Sequence, residues 1–489
     1  MSASFNKRVW GVGDRVWGRA APVVAFAAAL SLTPCAGAQT SRTAQQPPAA
    51  QKEAPPPLGP AKNFRLPPHR TFALPNGMHV TFIPFGNVPK VTVQVSVRTG
   101  IIDEGPNDVS LSNVVADLLL EGTATRSAQD ISRQAAEMGG SVNVTPGSEV
   151  STVDGEALSD FGPAFVKLIA DVTLHPKFDD ADFKRIIDKH ARDNAISLAQ
   201  ADNLVVKQFR EMMYGSHPFA HLYPTDAQLR AFTVQRAKDF YAKNYSAKRT
   251  TVYVSGVFDE AAVEAAIKES FSGWAGGAPP TENPPTIATK QQVQVVDRPN
   301  SVQSAMLIGV AVPDPSNADW INMNVTDAIL GGAFGSRITA NIREDKGYTY
   351  SPYSYILTRK KATMWVESED VTTNVTGASL TETFKEIDRL RTEAPPAAEL
   401  DGIKNDLAGL FTIRNSSRYG LIGQLQFTNL HGLDDAYLTS YVKSVLAVTP
   451  DQVRETAQKY IDPKKISIAI VGDKKQVEPQ LGKVKTILP

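Results

Sequence analysis

The histidines are the first place to look for metal chemistry. His217 and His221 stand four apart in His217-Pro218-Phe219-Ala220-His221. On a helix, two imidazoles at i and i+4 share a face and could grip one zinc ion. This pair, however, follows Tyr214-Gly215-Ser216 and encloses Pro218, punctuation that belongs to a loop. The expectation is a turn bearing two surface histidines. A second candidate is the glycine run Leu330-Gly331-Gly332 with Gly335. Glycines allow close backbone approach and positive φ, but the run lacks the Lys-Ser/Thr ending through which a P-loop holds phosphate.

The chemistry must be positioned by elements that the rest of the sequence outlines. Of 489 residues, 42% are hydrophobic and 21% charged, with 51 basic and 51 acidic side chains. That composition supports a large core and two to four domains. It shows none of the basic excess that marks a nucleic-acid partner. Residues 1–38 read as a signal peptide: Lys7, Arg8, Arg15 and Arg19 precede a short apolar run, Ala21 to Leu32, and Ala36-Gly37-Ala38 offers a small-residue cleavage site. An Arg-rich mitochondrial presequence is the rival reading. Cys35 before the cut raises a lipoprotein alternative, which Pro34 opposes; cleavage after Ala38 leaves no cysteine. A bacterial periplasm fits these features best. No later segment is apolar enough for a transmembrane helix. Residues 39–66, rich in Gln, Pro and Ala, read as a disordered tether.

A break around Gly276–Thr286 suggests an interdomain linker over 276–290, separating domains at 67–275 and 291–489. The two halves resemble each other. Each opens on an alternating strand (Val91, Val93, Val95, Val97; Met306, Ile308, Val310, Val312), a pattern that predicts a half-buried strand. Each closes on a Thr at a helix N-cap (Thr233, Thr449), an amphipathic helix, a Tyr (Tyr245, Tyr460), an apolar strand and a Gly (Gly256, Gly472). Both the Thr pair and the Gly pair are 216 residues apart. Two duplicated α+β domains follow, each a mostly antiparallel sheet with helices packed on one face.

More specific is the passage Glu121-Gly122-Thr123-Ala124-Thr125-Arg126-Ser127, followed by a helix, two strands and another helix. The second half contributes Gly331–Ser351, GGAFGSRITANIREDKGYTYS. Together, over about residues 67–489, these resemble the pitrilysin/insulinase (inverzincin) metallopeptidases, whose two halves enclose a clam-like chamber. Active members carry H-x-x-E-H on the helix before the Gly-Thr step. The two His hold zinc, the Glu acts as base on the zinc-bound water, and a Glu from a downstream helix completes the site. Counting back from Gly122-Thr123 places Asn113, Ala116 and Asp117 in that motif. Both His and the base are gone. The third ligand is expected between Phe183 and Asn203, yet no Glu occurs from Ala157 to Arg210; His190 is a lone candidate for compensation. The resemblance therefore implies a chain that binds no metal itself.

The same resemblance implies that Arg343 and Tyr350, seven apart, bind substrate backbone and stabilise charge on the attacked carbonyl. The alternative is that Arg343 pairs with Glu344 or Asp345 and that Tyr350 is core. Trp365, Val366 and Glu367 are candidates for a sheet edge receiving an extended peptide, against the reading of an ordinary strand. The expected function is the non-catalytic subunit of a heterodimeric periplasmic zinc peptidase, its zinc held by a paralogous partner and its substrates peptides. The alternatives are a structural or peptide-binding scaffold with no part in catalysis, and a stand-alone peptidase with an atypical metal site.

Overall fold

The computed structural model describes residues 64–482. The expected signal peptide and nearly all of the expected tether lie outside them. The described residues pack as one unit built on two sheets. The first comprises β1 (Arg70–Ala73), β2 (His79–Pro84), β3 (Lys90–Val97), β4 (Ser141–Thr145), β5 (Ser151–Leu158) and β6 (Thr250–Gly256). The second comprises β7 (Val293–Asp297), β8 (Gln303–Val312), β9 (Tyr353–Leu357), β10 (Thr363–Thr372) and β11 (Ser467–Gly472). Their orders are β1-β2-β6-β3-β5-β4 and β7-β11-β8-β10-β9. Without β1 these are the same order. The sense agrees too: β2/β6 and β7/β11 are parallel and every other pair is antiparallel. The duplication heard in the sequence is therefore a duplication of topology.

The closing phrases behave alike. Thr233 accepts the Arg236 N–H and Thr449 accepts the Gln452 N–H, each side chain satisfying an otherwise orphaned donor at the helix start. The helices that follow, Val234–Asn244 and Pro450–Tyr460, deliver the chain to β6 and β11.

In each half, helices cover one face of that half's own sheet. Val91, Val93, Val95 and Val97 join Phe165, Ile169 and Val263 in the first core. Met306, Ile308, Val310 and Val312 join Leu380, Phe384 and Val453 in the second. The opposite faces are not open to water. Four helices matter here: α1 (Leu111–Leu119), α2 (Asp180–Leu198), α3 (Ala201–Tyr214) and α4 (Arg418–His431). From the first half, α3 crosses to the second sheet, laying Val205, Phe209, Met212 and Met213 on Ala305, Leu307, Ala469 and Val471. From the second half, α4 crosses to the first sheet, setting Leu421, Ile422 and Leu425 on Ile83 and Tyr253.

This exchange corrects the half-buried reading of the two alternating strands. On β3, Thr92, Gln94 and Ser96 are buried as well as the valines. They are polar because α4 brings polar partners. Gln94 Nε2 and Ser96 Oγ donate to Gln426 Oε1 at 2.6 and 3.0 Å, and Arg418 Nε donates to Thr92 Oγ at 3.0 Å. On β8 the second face is small because α3 approaches closely: a Cβ on Gly309 would lie 2.6 Å from the Phe209 ring. Alternation here distinguishes two kinds of buried face.

A second correction concerns the sheet edge. Trp365, Val366 and Glu367 lie on β10, which pairs with β8 on one side and β9 on the other, and all three are buried. The free edge on that side is β9, the shorter strand beside it.

Candidate functional site

The helix α1 begins under tension. Ser110, its N-cap, sits at φ 72°, a left-handed conformation that costs a non-glycine residue energy. The carboxylate of Glu104 supplies the compensation, accepting the N–H groups of Ser110 and Ser112 at 2.9 Å each and the Ser112 hydroxyl at 2.6 Å. Burial nevertheless pushes Glu104 up to about 7, with those donors pulling the other way. Leu111, Val114, Val115, Leu118 and Leu119 fix α1 in the core.

On this helix Asn113 Nδ2 donates to Ser110 Oγ at 2.9 Å, and Ala116 is buried without any polar atom in its side chain. Asp117 Oδ2 lies 3.1 Å from His190 Nε2 and 3.3 Å from Lys189 Nζ, both on α2. Burial pulls the Asp117 carboxyl up, but hydrogen bonding to His190 and the charges of His190 and Lys189 outweigh it and leave it below the ordinary range. One helical turn away, Arg185 of α2 pairs with Glu121 at the end of α1. His190 and Lys189 are thus the α2 residues that meet Asp117. A signal for His190 existed in the sequence: Phe183, Ile186 and Ile187 are buried, and His190 continues their stripe at i+7 from Phe183.

These donors do not fit zinc. The set holds one carboxylate and one imidazole, and the Asn113 amide is a neutral, weak zinc ligand. An ammonium at 3.3 Å from the carboxylate supplies the positive charge that a metal would otherwise bring. Among the described residues no group of three or more His, Cys, Asp or Glu is arranged to hold a metal. His217 and His221 flank a short 3₁₀ turn, Pro218–Ala220. The His217 Nδ1 accepts the Phe219 N–H at 3.2 Å and its Nε2 lies 2.8 Å from the Asn283 carbonyl, tying down the segment between the sheets.

The second group lies in the other half, on two π-helical turns, Ala328–Gly332 and Thr339–Asp345. Such turns are rare and occur often at functional sites. Arg343 is on the second. Its guanidinium carbon stands 4.8 Å from the Phe334 ring centroid and 5.0 Å from that of Tyr350, while its Nε lies 3.1 Å from Glu344 Oε1. The expected alternative, pairing with Glu344, is present. Its companion, a core Tyr350, is not: Tyr350 is 71% exposed and Phe334 74%. Phe334 escaped sequence reasoning, although a phenylalanine inside a glycine-rich run was a visible oddity.

Beneath these turns lies a rigid base. Arg337 and Glu399 form a two-pronged pair at 2.8 and 2.9 Å, and Asn341 Nδ2 donates to Glu382 and Glu386 at 2.9 and 2.8 Å. Three carboxyl groups are fully or almost fully buried below: Asp327, Glu367 and Glu369. Asp327 accepts the Ser354 hydroxyl at 2.5 Å, yet burial pushes it up to about 7. Glu369 accepts from Ser379 and Thr383 at 2.6 and 2.5 Å. Burial, then the neighbouring Glu369 and Asp327, hold Glu367 well above the ordinary carboxylate range, with the Tyr353 backbone N–H pulling the other way.

Two family models cover most of this architecture. Residues 86–222 match the model described as insulinase (peptidase family M16), and residues 231–407 match the peptidase M16 inactive domain. The chain belongs to peptidase family M16. This M16 chain is 26% identical over 366 residues to an uncharacterised zinc protease of Mycobacterium tuberculosis, spanning 73% of this chain and 80% of the relative. It is 23% identical over 289 residues to another from Bacillus subtilis, spanning 58% and 69%. Among solved structures it shares its fold with a peptidase M16 inactive domain from Pseudomonas fluorescens (TM-score 0.76, 21% identity, 83% of this chain and 98% of that one). A protease from Helicobacter pylori is similar as well (TM-score 0.78, 16% identity, 83% and 100%). Within the described part of this M16 chain, no helix is long and apolar enough to cross a membrane.

Proposed function

We propose that this M16 chain is the non-catalytic subunit of a heterodimeric zinc metallopeptidase of the bacterial periplasm. The zinc and its water belong to a paralogous partner, and this chain lends Arg343 and Tyr350 to bind the peptide. The observation that carries the reading is the contrast between the two groups. At the motif positions, Asn113 offers only a neutral amide, Ala116 offers no base, and Asp117 is engaged by His190 and Lys189. Tyr350 is instead presented to solvent, with the partly exposed Arg343 guanidinium 5.0 Å from its ring centroid, above a hydrogen-bonded base. Among the described residues, the ion pair of Arg343 runs through Nε to Glu344, and its terminal amino groups carry none. A guanidinium and a phenol hydroxyl suit a carbonyl oxygen that gains negative charge, because both donate without needing to shed a proton.

The division of labour is tested with purified components. The chain alone should hydrolyse no peptide and carry no stoichiometric zinc, and hydrolysis should appear when a zinc-bearing M16 paralogue is added. Hydrolysis by the isolated chain, tracking bound zinc, would overturn the proposal.

A further inference from the structure

Phe334 has no part in any hydrophobic core of the described residues. It is three-quarters exposed, it sits between Gly332 and Gly335, and its one aromatic or cationic contact is the Arg343 guanidinium at 4.8 Å. An arginine side chain has many rotamers, and fixing it for a single hydrogen bond is entropically costly; Arg343, a quarter exposed, is already partly ordered. Here the guanidinium lies against two rings, 4.8 Å from the Phe334 centroid and 5.0 Å from that of Tyr350. Cation–π attraction uses the charge and occupies none of the N–H donors. The clamp therefore orients Arg343 while leaving its terminal amino groups available.

We infer that Phe334 is a positioning residue: it pre-orders Arg343 against Tyr350 so that the guanidinium meets the substrate carbonyl already oriented. The inference rests on the reading of Arg343 and Tyr350 as substrate-binding groups, and it adds a residue which acts only through Arg343. Preorganisation of this kind raises affinity by lowering the ordering cost of binding.

The test is a double-mutant cycle on the full chain, with fluorescein-labelled casein peptides as the probe and anisotropy as the readout. Arg343→Ala should weaken binding most. Phe334→Ala should weaken it roughly twofold to fivefold, the range of an exposed cation–π pair, and Phe334→Trp should restore it. In the Arg343→Ala background, Phe334→Ala should add nothing. Thermal melting should be unchanged throughout, since Phe334 packs in no core. If Phe334→Ala is silent while Arg343→Ala is not, the clamp is refuted and the proposed function stands. If Phe334→Ala keeps its full effect without Arg343, the ring touches substrate directly and the positioning role is wrong. If Arg343→Ala is itself silent, the underlying reading fails and the clamp with it.

Discussion

Raising the pH should destabilise this fold through Asp327, and the size of the effect follows from its surroundings. Burial lifts its carboxyl from about 3.8 in the unfolded chain to about 7 in the folded one. A raised acid binds its proton more tightly when folded. Its penalty is absent below the unfolded value and grows as pH rises, until the folded value is passed. Each pH unit inside that window is worth about 1.36 kcal/mol, so moving from about pH 5 to pH 8 should remove about 2–3 kcal/mol. Glu104, also lifted to about 7, acts in the same direction. His431 opposes both: burial lowers it to about 4, so its contribution improves as pH rises from there to the ordinary histidine value. The wild-type curve sums these with the raised Glu367, Glu369 and Asp370, and a difference curve reads Asp327 together with its coupling to Glu367. Asp327→Asn keeps an acceptor for the Ser354 hydroxyl, now at 2.5 Å from the carboxylate, and cannot ionise. Urea denaturation at several pH values should show the variant losing about 2–3 kcal/mol less than wild type across that span. Parallel curves would mean that Asp327 does not titrate in the fold as its burial requires.

Other outcomes follow from the same structure. Phe209→Ala should cost about 3–5 kcal/mol in chemical denaturation, because α3 loses the ring that rests on Gly309 of the opposite sheet; a cost under about 1 kcal/mol would show that the exchanged helices are not a principal tie between the halves. Asn113→His, Ala116→Glu, Asp117→His and His190→Glu made together should yield about one zinc per chain by metal analysis, since α1 and α2 already converge within 3.1 Å at two of these positions. Adding Lys189→Ala should tighten that site by removing the competing ammonium. Absence of zinc from a folded variant would mean that the four positions do not share a point.

Several features were legible in the sequence for local reasons. Thr233 and Thr449 cap their helices through contacts within three residues, and the valine alternation of β3 and β8 is a property of the strand itself. The exchange of α3 and α4 was not legible. An apolar stripe such as Val205, Phe209 and Met212 states that a face is buried and is silent about which sheet covers it. The same gap explains β10, whose neighbours depend on strand order. At the site, the loss of the motif was plain from Asn113, Ala116 and Asp117. The contact of Asp117 with His190, 73 residues away in sequence, depends on how two helices pair and could not be read locally. Arg343 and Tyr350 were found through their spacing within a family signature. Phe334, beside Arg343 in space, has no spacing rule to reveal it.

The most direct measurement is kcat/KM for peptide hydrolysis by the reconstituted heterodimer, with Arg343→Ala introduced in this chain alone and the partner's zinc content measured in parallel. Loss of a preorganised donor to the developing oxyanion should lower turnover roughly a hundredfold to a thousandfold at unchanged zinc. Wild-type activity in that heterodimer would contradict the account and leave this chain a scaffold.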